Sequence, residues 1–109
     1  MDQDGPDNYS ARTEADGDRI IVVVTGEVDM STADDMLRTA TPDGARGVTL
    51  DLRAVTFFDS AAIHALIRLA ERYPATLQVV PSPQVLRVLD ISGLGGQPWL
   101  TPADRPAVE

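Results

Sequence analysis

"VTFFDSAAIHALIRLAERY", Val55 to Tyr73, decides how this 109-residue chain is read. Ile63, Leu66, Ile67 and Ala70 recur at helical spacing and predict the inward stripe of an amphipathic helix. Arg68, Glu71 and Arg72 fall on its outward side. Tyr73-Pro74 ends it, because the residue before a proline avoids the helical region. Asp59 and Ser60 stand at its start, directly after Phe57 and Phe58. Either side chain is a good cap for a helix N-terminus. Whether Ser60 only caps, or instead offers its hydroxyl to something outside the domain, is the question the stretch poses.

On the N-terminal side, "YSARTE" and "RIIVVVTGEV" flank Asp16-Gly17, a tight-turn signal, and so predict a β-hairpin. Ile20 to Val24 is continuously apolar and mostly β-branched, as in a strand covered on both faces. In "DMSTADDMLRTAT", Asp29, Ser31 or Thr32 is positioned to cap a helix whose apolar stripe is Ala33, Met36, Leu37 and Ala40. Pro42, Asp43 and Gly44 break the chain. "GVTLDL", Gly47 to Leu52, is a second buried strand, and "RAVTFFDS" reads as the loop to the helix at Ser60. "TLQVV" is a third central strand. "PSPQVLRVLDISGLGG" gives a helix capped by Ser82, with Pro83 in its first position and Gly93 as its stop. "QPWL" suggests a last short strand. The order β-β-α-β-α-β-α-(β) predicts an α/β fold, a mixed sheet with helices packed against it.

Composition narrows function. A chain of this length suits one domain and leaves little interior for a deep substrate cavity, which favours a surface role. It has no cysteine and one histidine, so disulfide scaffolds, cysteine-based zinc sites and multi-histidine metal sites are excluded. All nine basic residues are arginines, and the net charge is −8. That acidic excess argues against nucleic acid and against anionic lipid as partners. With no basic and apolar leader pattern and no run near the ~20 residues of a membrane helix, a cytoplasmic protein is expected.

Candidate chemistry is sparse. Ser60 and His64, four apart on a helix, suggest a hydrolase pair, but no Gly-x-Ser-x-Gly turn surrounds the serine and no carboxylate is placed to orient the ring. Asp51 and Asp90 read as structural. "GLGG", Gly93 to Gly96, follows a helix and lacks a lysine, so it is not a phosphate loop. Asp29 and Asp59 follow two strands of one parallel set. Loops after parallel strands emerge at the same end of the sheet, so Asp29 and Ser60 are expected to share one exposed patch.

"TGEVDMSTA" (Thr25 to Ala33), "VTLDLRAVTFFDSAAIHALI" (Val48 to Ile67) and "LQVVPSPQVLRVLDISGL" (Leu77 to Leu94) together resemble the STAS domain of bacterial anti-sigma factor antagonists. The likeness runs roughly from Tyr9 to Leu100. It implies a STAS fold over residues 9–102 with a four- to five-stranded mixed sheet; the polar, acidic composition of residues 1–8, with Gly5 and Pro6, suggests a disordered tail before it, and 103–109 a C-terminal tail after it. It also implies a non-enzymatic partner switch without cofactor or metal. In that family the antagonist binds an anti-sigma factor that is also a serine kinase of the GHKL type, freeing a sigma factor. The kinase phosphorylates the serine of an Asp-Ser pair at the start of the second helix, and a PP2C-type phosphatase restores it. Asp59-Ser60 matches that pair, so the resemblance makes Ser60 the phosphoacceptor. The implied partner surface is Asp29, Met30, Ser31, Thr32, Asp59, Ser60, Ala61, Ala62 and His64. The chain departs from the family where Ser or Thr and then Gly usually follow Asp-Ser; here they are Ala61 and Ala62. Alanine is still small but stiffer than glycine.

Overall fold

Residues 8–101 are described by the computed structural model, and over them the apolar runs become four strands and three helices. In chain order these are β1 (Tyr9–Asp16), β2 (Arg19–Val28), α1 (Ala33–Thr39), β3 (Gly47–Phe58), α2 (Ser60–Arg72), β4 (Leu77–Pro81) and α3 (Pro83–Ile91). The tails expected at residues 1–8 and 103–109 lie outside the described residues, Asn8 excepted. The strands form one sheet in the order β1-β2-β3-β4. β1 is antiparallel to β2, and both other pairings are parallel, so the sheet is mixed as expected. Asp16 pairs with Arg19, leaving Gly17 and Asp18 as a two-residue hairpin turn. Gly17 takes φ +69 at the first central position, where a turn that follows the strand twist calls for glycine.

One apolar core holds the domain. Val22, Val24, Leu50, Leu52, Met36, Leu66, Leu69, Val79 and Leu89 are fully enclosed in it. Its sheet side takes alternate residues, as the period of two demands. The other sheet face is open, which overturns the expectation that Ile20–Val24 is covered on both faces. Ile21 and Val23 are only half-buried there. Charged neighbours screen them: Arg12 faces Val23 across the ladder, Val23 faces Asp51, Asp51 binds Arg53 at 2.9 Å, and Arg12 reaches Glu14 at 3.3 Å. The Arg53 guanidinium, donating to the Asp51 carboxylate, holds that carboxyl below its ordinary range against the opposing effect of partial burial.

β3 corrects a second expectation. "RAVTFF" is not a loop; the strand runs on to Phe58. Ten residues of β2 pair against twelve of β3, from Arg19↔Gly47 to Val28↔Phe58. The register slips between Val23 and Thr25 and again between Gly26 and Glu27. Each slip is a β-bulge that gives β3 one extra residue. Arg53-Ala54 and Thr56-Phe57 are therefore adjacent exposed pairs, and Leu52, Val55 and Phe58 all return to the core. β4 is also not central: it is the last strand of the sheet. The expected strand at "QPWL" reduces to one bridge, Val79↔Leu100, with Val79 N–H donating to Trp99 C=O and Thr101 N–H to Val79 C=O, each at 2.8 Å.

The helices cover the closed face. In α2 the buried residues are Ala62, Ala65, Leu66 and Leu69. Ile63, Ile67 and Ala70, expected to face inward, are half-buried at its flank. The buried stripe runs through Ala62, Ala65 and Leu69, so Ile63, Ile67 and Ala70 fall at its edge. The buried Tyr73 hydroxyl donates to the Ala40 carbonyl at 3.1 Å and ties the ends of α2 and α1 together. α3 ends with Leu94 N–H donating to Leu89 C=O at 2.7 Å and Gly93 N–H to Asp90 C=O at 3.1 Å, a Schellman stop at the predicted glycine.

Ser82 links α3 to the bulged strand. Apart from the Tyr73 hydroxyl, it carries the one buried polar side-chain group among the described residues. Its hydroxyl donates to Val55 C=O at 2.7 Å and accepts from Val85 N–H at 3.1 Å. Ser82→Ala removes the cap and leaves a buried carbonyl unpaired between the two bulges. The expected loss is about 2–3 kcal/mol, seen as a lower urea midpoint at unchanged slope.

Candidate functional site

Two loops meet at the C-terminal end of the parallel strands. The last ladder pair of β2 and β3 is Val28↔Phe58, so Asp29 and Asp59 are the next residues out on neighbouring strands. A backbone hydrogen bond from Asp59 N–H to Val28 C=O, 3.2 Å, extends the pairing by one step and fixes the two loops side by side. This is the juxtaposition of Asp29 and Ser60 that the topology predicted.

At α2 the roles of Asp59 and Ser60 divide. Asp59 is the N-cap, with extended backbone, and its Oδ1 accepts from Ala62 N–H at 3.1 Å. Ser60 is the first helical residue. It is exposed, and its hydroxyl makes no intramolecular hydrogen bond among the described residues. Capping is thus carried by the carboxylate, and the serine oxygen is left facing solvent beside the helix N-terminus. That terminus offers backbone N–H groups and a positive dipole end, which favour an added anion.

The Asp29 loop is built by its own side chains. Asp29 Oδ1 accepts from Ser31 N–H at 2.9 Å, from Ser31 Oγ at 2.8 Å and from Thr32 Oγ1 at 3.2 Å. Asp29 N–H in turn donates to Thr32 Oγ1 at 2.9 Å. The Ser31 hydroxyl foremost, then its N–H, with Thr32 adding to them, hold the Asp29 carboxyl below the ordinary carboxylate range against a smaller opposing desolvation. Thr32 occupies the N-cap position of α1 without capping it by its side chain. These bonds leave Met30 projecting at the loop tip, 78% exposed.

Of the remaining residues expected at this surface, His64 is exposed one turn into α2, and Ala61 is half-buried. Ala62 does not belong to it. It is fully buried at the third helical position, where the chain has turned into the core. Phe57 was not foreseen: at 48% exposure it stands next to the same loop, paired with Glu27. Two successive phenylalanines near a strand end hold the signal, since alternation sends one of them outward. Among the described residues no hydrogen bond joins Ser60 to His64, and none joins a carboxylate to the imidazole. Nor do those residues contain a cluster of His, Asp and Glu fit to hold a metal ion. No helix of the described residues is long and apolar enough to cross a membrane.

A mixed four-stranded sheet with three helices and paired loops after β2 and β3 is the architecture of a STAS domain. The family profile described as "Mlab, STAS domain" matches residues 11–102, and the chain belongs to that family. Among solved structures it is similar to the crystal structure of an anti-sigma factor antagonist from Mycobacterium paratuberculosis. That pair has 26% identity and a TM-score of 0.77 over 92% of this chain and 91% of that one. The anti-sigma factor antagonist SpoIIAA in its unphosphorylated form shares the fold at 24% identity and TM-score 0.68, covering 84% of this chain and 86% of that one. The phosphorylated form of the Bacillus cell fate determinant SpoIIAA does so at 22% and 0.65, covering 84% and 89%. No curated protein matches the chain by sequence.

The two side chains at the start of α2 make distinguishable predictions. Asp59→Ala should cost about 1 kcal/mol of stability through the lost cap, whereas Ser60→Ala should stay within about 0.5 kcal/mol. Equal losses in chemical denaturation would contradict the division of roles. For Asp29, a folded value below the unfolded one means that its carboxylate stabilises the loop above the unfolded value near 4, and that this is lost as pH falls through the lower folded value. In a carboxyl-detected NMR titration Asp29 should titrate below an ordinary aspartate, and Ser31→Ala should move it back up.

Proposed function

We propose that this protein is an anti-sigma factor antagonist whose docking surface is switched by phosphorylation of Ser60. Unmodified, it binds an anti-sigma factor that is also a GHKL-type serine kinase, and so releases a sigma factor. A PP2C-type phosphatase reverses the modification, and the circuit operates in the cytoplasm. The observation that carries this reading is the exposed Ser60 hydroxyl, free of any internal role because Asp59 caps the helix. Supporting it are the adjacent Asp29 loop and the likeness to a solved anti-sigma factor antagonist.

The physical basis of the switch is local. Phosphorylation adds about −1.5 to −2 charges at neutral pH. Those charges would fall at a helix N-terminus, which tolerates them, and beside Asp59 and Asp29, which do not attract them. The fold is preserved, and the surface becomes strongly more negative. A partner shaped to the unmodified surface then encloses an unpaired anion, which costs several kcal/mol. Each 1.4 kcal/mol is tenfold in affinity, so this suffices to release it. The surface for docking comprises Asp29, Met30, Ser31, Thr32, Asp59, Ser60, Ala61, His64 and Phe57.

A second reading draws on Ala61 and Ala62. They stand where the family pattern has a hydroxyl residue and glycine, and Ala62 is sealed in the core. A stiff helix start of this kind suits a constitutive STAS subunit of a larger assembly, such as a lipid-transport complex, in which Ser60 is never modified. One experiment separates the two. Incubation with candidate kinases and ATP should add a single phosphoryl group, located on Ser60 by mass spectrometry. Titration calorimetry should then show Ser60→Ala binding the kinase, and the phosphorylated form or Ser60→Glu binding at least about a hundredfold more weakly. Equal affinity of modified and unmodified chains would exclude the switch.

A further inference from the structure

Three of the chain's nine arginines line one cavity at the opposite pole of the sheet. It occupies about 460 Å³ between Asp18, Arg19, Ala45, Arg46, Arg72, Tyr73 and Thr76. These residues begin β2, precede β3 and β4, and end α2, so the cavity lies a full strand length from Ser60. Asp18 is the one carboxylate in its lining. Against a net charge of −8 this is a local inversion of sign.

Two of the guanidinium groups, Arg19 and Arg72, are set in place by contacts to neutral groups. Arg19 donates from Nη1 to Thr76 C=O and from Nη2 to Thr49 Oγ1, both at 3.3 Å. Room for it is built into the backbone, because a side chain on the buried Gly47 would collide with Arg19 Nη1 and with the Thr76 carbonyl. That carbonyl is occupied already by Val48 N–H at 3.0 Å, so it does not oppose an anion freely. The Arg72 guanidinium lies 5.0 Å from the centre of the Tyr73 ring. Neither Arg19 nor Arg72 has a carboxylate partner among the described residues. Arg46 reaches Asp18 at a long 3.8 Å with both groups exposed, a contact weak enough to be exchanged for a better one.

We propose that this cavity binds a small phosphate-class polyanion, such as the diphosphate group of a metabolite. Guanidinium forks match the paired oxygens of such groups, and a partly enclosed site strengthens the bonds they make. The volume suits a small molecule. A ligand here would touch α2 at Arg72, the far end of the helix that begins at Ser60.

The test uses the full chain with pyrophosphate, inorganic phosphate and citrate as probes, followed by calorimetry and by amide chemical shifts at low ionic strength. Saturable binding of pyrophosphate is expected, tighter than phosphate or citrate, with shifts at Arg19, Ala45 and Thr76. The double variant Arg46→Gln/Arg72→Gln, both exposed positions, should bind at least about tenfold more weakly with an unchanged circular dichroism spectrum. Ser60→Ala should bind as the parent does. Absence of saturable binding, an unaffected double variant, citrate binding as tightly as pyrophosphate, or shifts confined to the Ser60 loop would each overturn the proposal.

Discussion

The parallel ladder between β2 and β3 is the constraint on which the rest of the molecule depends. It occupies the middle of the sheet and supplies most of the strand side chains of the core. It also determines where the two loops of the candidate site begin, because Val28 and Phe58 close it as a pair. The Asp59 N–H to Val28 C=O bond carries that pairing into the loops. Asp29 and Ser60 are neighbours through backbone pairing, and their proximity needs no contact between their side chains.

Within each loop a carboxylate does the structural work and leaves another residue exposed. Asp59 caps α2 through Ala62 N–H and frees Ser60. Asp29 gathers Ser31 and Thr32 about its Oδ1 and lifts Met30 outward. The surface so formed is hydrogen-bonded at its base and combines apolar Met30 and Phe57 with the carboxylates of Asp29 and Asp59. On the proposed reading, added negative charge at Ser60 would fall beside carboxylates already held in place. The open sheet face is organised differently. Crossed Arg12, Asp51, Arg53 and Glu14 screen Ile21 and Val23, so half-buried apolar groups persist there without a covering layer.

The sequence made the element order legible because glycine, proline and aspartate punctuate it where the chain turns. Three features were not legible, each for a definite reason. The end of β3 reads as a loop because Leu52, Val55 and Phe58 recur every third residue, a spacing foreign to a regular strand until two bulges are allowed. Ile20–Val24 looks like a doubly covered strand because hydropathy does not distinguish a side chain shielded by a helix from one shielded by arginines. The inward face of α2 is hard to read because Ala62 and Ala65 carry little apolar weight, so a stripe drawn through Ile63 and Ile67 falls to one side of the buried one. At the site, topology alone placed Asp29 near Ser60. Composition could not say which of Asp59 and Ser60 caps, since both residue types do so, nor that Ala62 turns inward while Phe57 turns out.

The bulges in β3 make this part of the chain count in whole residues. Twelve positions must arrive level with ten, and the Asp-Ser pair emerges correctly only when both extra residues are accommodated. Deleting one residue between Leu52 and Phe58 would leave a perfectly good strand, yet it would hand the helix start to the wrong side chain. The hairpin turn and the α1–β3 connection lie outside this ladder and impose no such count on the seven positions from Leu52 to Phe58.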